Sequence, residues 1–206
     1  MTVPLDDAAV HHGLAAVEVR AAELARLHER LARVAGDQDL LDVGYVLYDS
    51  PVGRLLLAAT PRGLVRVAFE CEDHDRVLQT IADRIGPRVL VAPDRLAEAV
   101  RQLDAYFAGR RRGFDLPLDR ALSSGFRREV QDHLPSIPYG RTETYAEVAT
   151  RLGRPRAIRA VGSGCATNPL PVVLPCHRVL RSDGTLGGYA GGLAAKAALL
   201  ELEAAA

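Results

Sequence analysis

Apolar and polar positions follow two different rhythms along this chain, and the change of rhythm divides it. Over roughly the first 40 residues Val17, Leu24 and Leu31 alternate with Leu27 and Val34 at heptad-like spacing, set among Arg and Glu, which predicts a helix. Two heptads fall short of the roughly three or four that a coiled coil needs, so the stripe is expected to dock on the protein's own core. Gly36-Asp37-Gln38-Asp39 reads as its stop and linker. From Val43 the pattern becomes that of strands: 43–48, 54–59 and 64–69 are rich in β-branched and aliphatic residues. Asp49-Ser50-Pro51-Val52-Gly53 and Thr60-Pro61-Arg62-Gly63 supply the turns between them, which predicts an antiparallel meander. Residues 77–85 and 94–107 read as helices, with a short strand at 88–91 between them.

After a connection over 109–121 a second, mostly helical lobe begins. Ser124 is placed to cap a helix over 126–134, ended by Pro135, Pro138 and Gly140. Thr144 and Glu147, three apart, have the form of a capping box for a helix running to about Leu152. Gly153-Arg154 makes a turn, Pro155 suits a first helical position, and the next helix reaches about Ala166. Helix, glycine turn, helix is the helix-turn-helix layout. In the second helix Arg156 and Arg159 share a face, while Ala157, Ala160, Gly162, Ser163 and Gly164 are small. Such residues permit close approach to a neighbouring helix or to a nucleic-acid groove. The chain thus divides into a helical extension (1–42), an α/β lobe (43–117) and a third segment (118–206), an α+β architecture overall.

Composition narrows the function classes. Of 206 residues 48% are apolar and 25% charged, the balance of a globular protein. No apolar run is long enough to cross a bilayer, and the N-terminus lacks a secretory layout; the expected compartment is the cytoplasm, with no membrane partner. Three cysteines fit free thiols better than a disulfide framework. The formal net charge is zero, yet seven arginines (141, 151, 154, 156, 159, 178, 181) face only Glu143 and Glu147 between Arg141 and Arg181. Such a local excess reads equally well as a phosphate-facing patch or a solvated face.

The most informative stretch is Pro171-Val172-Val173-Leu174-Pro175-Cys176-His177-Arg178-Val179. Residues 172–174 read as a buried strand end that Pro175 breaks. A cysteine just beyond such a break is held rigidly, and His177 and Arg178 are expected to make its surroundings electropositive, which promotes the nucleophilic thiolate. Histidine is suited to take the proton near neutral pH. Neighbours on an extended chain point opposite ways, so a Cys–His relay needs a turn here or a bridging water. A lone Cys-His pair is more often a buried packing residue beside a histidine; the rest of the chain shifts that balance.

Pro175-Cys176-His177-Arg178-Val179 resembles the active-site signature of the O6-alkylguanine-DNA alkyltransferases (methylated-DNA–protein-cysteine methyltransferases). Ile137-Pro138-Tyr139-Gly140, Thr144-Tyr145, Arg159-Ala160-Val161-Gly162, Asn168-Pro169, Gly188-Tyr189-Ala190-Gly191-Gly192 and Lys196 resemble further motifs of that family, in order. The resemblance covers about 43–203 and is strongest after Ser124. It implies a ribonuclease H-like first lobe and a winged-helix-like second one. It also implies single-turnover transfer of an alkyl group from O6-alkylguanine in double-stranded DNA to Cys176, by a monomer without metal or organic cofactor. The alkyl range, and O4-alkylthymine as a second substrate, stay open. By the same resemblance His177 would deprotonate Cys176 through a water, Glu203 would orient the imidazole, and Asn168 would brace the turn. Tyr145 would hydrogen-bond the guanine edge, and Arg159 would fill the gap left by the flipped base. Thr144, Arg156, Ala160 and Gly162 would meet DNA in the minor groove. The 187–196 segment, with Tyr189, Ala190, Gly191, Gly192 and Lys196, would close over the base, the Ala190 amide facing O6.

Some features depart from the family's pattern. Gln131 stands where the family often has tryptophan, which implies different packing of the first helix of the lobe. Cys71 and His74 form half of a metal site at most; Cys165 reads as a packing residue, and His11 and His12 as solvated. Three other functions use the same residues differently. A cysteine hydrolase would use Cys176, His177 and Glu203 and turn over; a non-catalytic sensor of alkylated DNA would lack the acceptor; a plain helix-turn-helix regulator would have no purpose for the cysteine segment.

Overall fold

The structure, a computed structural model, describes residues 21–38 and 40–205. Val17, His11, His12 and Asp39 lie outside the described residues. Helix α1 (Ala21–Asp37) leads into strands β1 (Val43–Ser50), β2 (Gly53–Thr60) and β3 (Gly63–Phe69), then helix α2 (His74–Arg84), strand β4 (Val89–Val91) and helix α3 (Pro93–Phe107). The three predicted strands form the antiparallel meander, and the short fourth strand extends it by pairing parallel with β1, giving the order β3-β2-β1-β4. A period of two puts alternate residues on opposite faces. Leu55 and Leu57 therefore face α3 and the second lobe, while Leu56 and Ala58 lie on the opposite face with Val77 and Ile81 of α2. A register shift of β3 opposite Ala58 and Ala59 puts Val67 with the first set and Val65 with the second, although the two are only two positions apart.

The edge strand β3 is closed by the rest of the chain. Leu64 N–H donates to the Pro117 carbonyl, Asp119 N–H to the Leu64 carbonyl, and Val67 N–H to the Pro169 carbonyl. The second lobe comprises α4 (Gly125–His133), strand β5 (Glu143–Thr144), α5 (Tyr145–Arg151), α6 (Ile158–Ala166), strand β6 (Val179–Leu180) and α7 (Gly192–Ala204). One continuous apolar cluster joins Leu96, Leu103 and Tyr106 of α3 to Val130, Val148, Val161, Leu174 and Leu199 of this lobe, so the lobes share a core.

Three expectations are corrected. The α1 stripe does not dock: Leu24, Leu27, Leu31 and Val34 are 42–53% exposed, and α1 packs through Ala32 and Ala35 against Leu41 and Ala92. Two alanines let the helix axis approach more closely than leucines would, and the heptad spacing by itself does not say which face turns inward. Pro155 does not open a helix; α6 begins at Ile158 after a longer turn, which leaves Arg156 outside it. Residues 171–173 form a turn rather than a strand end, and Val172 sits there at φ 71°, a left-handed conformation that costs a β-branched residue about 1–3 kcal/mol.

Candidate active site and nucleic-acid interface

The Cys176–Arg178 segment is a single 3-10 turn, the bend that a Cys–His relay requires. Asn168, buried, ties this turn to the end of α6. Its Nδ2 donates to the Leu174 carbonyl at 2.8 Å and to Cys176 Sγ at 3.2 Å, and its Oδ1 accepts from Leu170 N–H at 3.0 Å. His177 Nε2 lies 2.9 Å from Glu203 Oε1. A buried carboxylate accepts, so Nε2 carries the proton and Nδ1 is the basic nitrogen. Nδ1 is buried and has no hydrogen-bond partner among the described residues, which leaves it available to a proton from Cys176.

Glu203 is the hub. Oε1 accepts from Tyr106 Oη at 2.7 Å, His177 Nε2 and Arg178 Nη2 at 2.8 Å, and Oε2 from Arg178 Nε at 2.8 Å and Gly140 N–H at 3.1 Å. Burial alone would raise this carboxyl's pKa, but the bonds from His177 and Arg178 outweigh it and hold the group well below the usual carboxylate range. Burial lowers the pKa of His177 despite the Glu203 bond, so the imidazole is a neutral base at physiological pH.

The positive charge expected around Cys176 from His177 and Arg178 is not there. Arg178 turns away to Glu203 and to the Ile137 carbonyl at 2.7 Å, so its charge is neutralised. Burial pushes the Cys176 thiol up to about 11, against the Asn168 bond and the Lys196 charge. The free protein therefore holds a thiol at neutral pH, next in the chain to a neutral imidazole whose Nδ1 has no hydrogen-bond partner among the described residues. In a Cys71→Ser background, the iodoacetamide alkylation rate of Cys176, read by peptide mass, should climb through neutral pH and level off only near 11. A plateau near neutrality would mean a thiolate formed in advance.

The closing loop is already seated. The Tyr189 ring lies 5.5 Å from Phe69 of β3 and 6.4 Å from His177, and Cys71 Sγ donates to the Ala190 carbonyl at 3.2 Å. Gly191 lies against the Phe69 ring, and Gly187 against Tyr145. A Cβ at Gly187 would fall 2.3 Å from Tyr145 Oη. Since a misplacement of about 1 Å can cost about a hundredfold in rate, Gly187→Ala should slow a single turnover by roughly ten- to a hundredfold. Its affinity for undamaged duplex, measured alongside, should not change. Lys196 is no part of this loop: it is buried in α7, and Nζ donates to the Val179 carbonyl at 2.6 Å, fixing β6. Gly192 is the first residue of that helix.

The helix-turn-helix is α5 and α6. Thr144 caps α5, its Oγ1 accepting from Glu147 N–H at 3.2 Å while Glu147 accepts from Thr144 N–H at 2.6 Å, the reciprocal box expected. Tyr145, the first residue of α5, is half-buried, and burial raises its pKa, so it remains a donor. The small residues of α6 divide between a packed face and an open one. Gly164 faces α4, where a Cβ would meet Val130 at 2.9 Å, whereas Ala160 and Ser163 are exposed beside Arg159, and nothing lies within 4 Å of a Cβ at Gly162. Gln131 donates to the Gly164 carbonyl at 3.1 Å, so the residue in the tryptophan position anchors α6. Three of the seven arginines are neutralised, Arg151 by Glu143, Arg154 by Glu129 and Arg178 by Glu203. Arg141, Arg156, Arg159 and Arg181 make no ion pair among the described residues and form the cationic remainder.

Cys71 and His74 gain no further metal ligand: among the described residues no three His, Cys, Asp or Glu side chains gather at one point. Cys165 is buried in the core. Tyr106 is a site residue that reading the sequence missed, because it acts through Glu203 from a distant part of the chain, and Arg178 was noted there but with Cys176 rather than Glu203 as its partner.

Comparison with known proteins fits this geometry. Residues 43–120 match the family model described as 6-O-methylguanine DNA methyltransferase, ribonuclease-like domain, and residues 125–205 match its DNA binding domain. The chain is 43% identical over 159 residues to a methylated-DNA–protein-cysteine methyltransferase of Methanosarcina barkeri, covering 77% of this chain and 96% of that one. It is 41% identical over 155 residues to the protein of that name from Mycobacterium leprae, covering 75% and 88%. The solved structure of Mycobacterium tuberculosis OGT in complex with DNA superposes with a TM-score of 0.69 at 39% identity, covering 79% of this chain and 93% of that one. Both lobes, and the cysteine turn within the second, lie inside these matches, and the chain belongs to the 6-O-methylguanine DNA methyltransferase family.

Proposed function

We propose that this protein repairs O6-alkylated guanine in duplex DNA by moving the alkyl group to its own Cys176. The observation that carries the reading is the buried relay Asn168–Cys176–His177–Glu203, set beside a helix-turn-helix whose outward face is small and cationic. The alkyl carbon lies inside a stacked duplex, so its base must be flipped out, at about a few kcal/mol. Arg159, exposed at the start of α6, fills the gap with its planar guanidinium. The small residues of α6 suit close approach along the minor groove, where sequence readout is poor, which a repair protein tolerates. Cys176 is only 4% exposed, so the flipped base enters by displacing the loop that carries Tyr189.

In the reaction the thiol proton passes through a bridging water to His177 Nδ1, and Glu203 stabilises the imidazolium. Sulfur attacks the alkyl carbon in line, forming the S–C bond as the C–O6 bond breaks. The electron pair goes to guanine, which Tyr145 stabilises by donating a hydrogen bond and which then takes up a proton. The thioether is stable, so each monomer acts once. The test is intact mass after incubation with a duplex carrying O6-methylguanine. One methyl per protein, mapped to Cys176, is expected; no gain in mass with DNA still bound would overturn transfer and favour a sensor.

A further inference from the structure

We infer that Tyr106, contributed by the first lobe, is a positioning residue for the acceptor cysteine, acting through Glu203 and His177. Tyr106 is fully buried in α3 and donates its hydroxyl to Glu203 Oε1 at 2.7 Å from 97 positions away. That oxygen is the one His177 Nε2 uses. The ring is fixed on three sides, with centroids 5.4 Å from Phe107, 5.2 Å from Phe114 and 6.0 Å from Tyr139. A hydroxyl held by packing on both sides of the lobe boundary sets where Oε1 lies, and hence the plane of the imidazole.

Its donation also has an electronic effect. Three donors share Oε1, from Tyr106, Arg178 and His177, and each takes a share of its negative charge. Removing one strengthens the pull of Oε1 on the His177 proton, which favours imidazolium and disarms the base at neutral pH. Arg178 and Glu203 are the charged groups facing His177 from the turn and from α7, with Lys196 adding its charge from α7. Tyr106 is the contribution from the first lobe. The first lobe thus takes part in the chemistry, although it carries none of the family's motif residues around the cysteine.

The inference rests on the transfer reaction proposed above, and the experiment separates the two. Single-turnover methyl uptake from an O6-methylguanine duplex is followed from pH 5 to 9 for the unaltered chain and for Tyr106→Phe, which keeps the ring. A fall of about tenfold at neutral pH is expected, as for loss of a hydrogen bond to a charged group. The acid limb of the profile should move to higher pH, and the stoichiometry should remain one methyl per protein. Fluorinated tyrosine at position 106, a stronger donor of nearly the same shape, should move the limb to lower pH. That arm keeps the test decisive if the phenylalanine variant folds poorly. Unchanged rate and profile in Tyr106→Phe, or no shift with the fluorinated residue, would overturn the inference; no uptake by the unaltered chain would overturn the transfer reaction itself.

Discussion

A Cys176→Ala variant is expected to take up no methyl group from damaged duplex, while binding that duplex about as well as the unaltered protein does. In the proposed reaction the Cys176 sulfur is the attacking atom, and neither of the other two cysteines belongs to the relay. Cys165 lies deep in the core, and burial holds its thiol far above the normal range. Cys71 is exposed and touches the Ala190 carbonyl, making it the nearest alternative acceptor at the loop. The face proposed to meet DNA, by contrast, lies on α6 and its preceding turn. The fold should lose only about 1 kcal/mol, the cost of one weak hydrogen bond from Asn168 and a small buried volume. Intact mass and a mobility-shift titration on the same preparation check both halves. Methyl uptake that persists, mapped to Cys71, would move the acceptor assignment.

The second large effect belongs to Glu203→Gln. This carboxylate accepts five hydrogen bonds in the core, two of them from Arg178. An amide is neutral and offers donors where the site already supplies donors. Arg178 would be left buried without its counter-charge, which costs about 3–5 kcal/mol, or about 10 °C of melting temperature for a chain of this size. Transfer should also slow by about a hundred- to ten-thousandfold, as for loss of general-base catalysis, because His177 loses its orienting partner.

The pH dependence follows in sign. A carboxyl held below its ordinary range contributes stability in full above its unfolded value. That contribution disappears as pH falls through the folded value, since the unfolded chain binds the proton first. The stability gap between the unaltered protein and Glu203→Gln, from urea melts, should therefore be widest near neutrality and narrow in acid. A gap that widens in acid would contradict the ionised, paired state of Glu203.

Much of this was legible in the residues. Thr144 and Glu147 announced the start of α5 because a capping box is local chemistry, complete within four positions. The meander was legible because its turns carry glycine and proline at the places where the chain reverses. Asn168, Cys176 and His177 were marked by motif, and in the structure Asn168 bonds the sulfur of the turn that holds the other two. What local pattern cannot show is which distant group answers a buried charge. Arg178 looked like a source of positive potential for Cys176, and only the folded chain reveals that Glu203 takes that charge. Nothing in the helix read over 94–107 singles out Tyr106, because its hydroxyl has no partner until the lobes meet. The start of α6 was misplaced because Pro155 fits a first helical turn and an ordinary turn equally well.

The way β3 is closed has a consequence for any attempt to divide the molecule. Its outer edge is satisfied by Pro117, Asp119 and Pro169, and the last of these belongs to the lobe that carries the cysteine. A fragment ending near residue 120 would retain the sheet but lose the Pro169 contact and the apolar cover over Leu55, Leu57 and Val67. An edge strand with free backbone donors beside a bare hydrophobic face is a template on which further chains can add. The second lobe thus also acts as a guard against self-association, keeping the sheet of the first from growing into an aggregate.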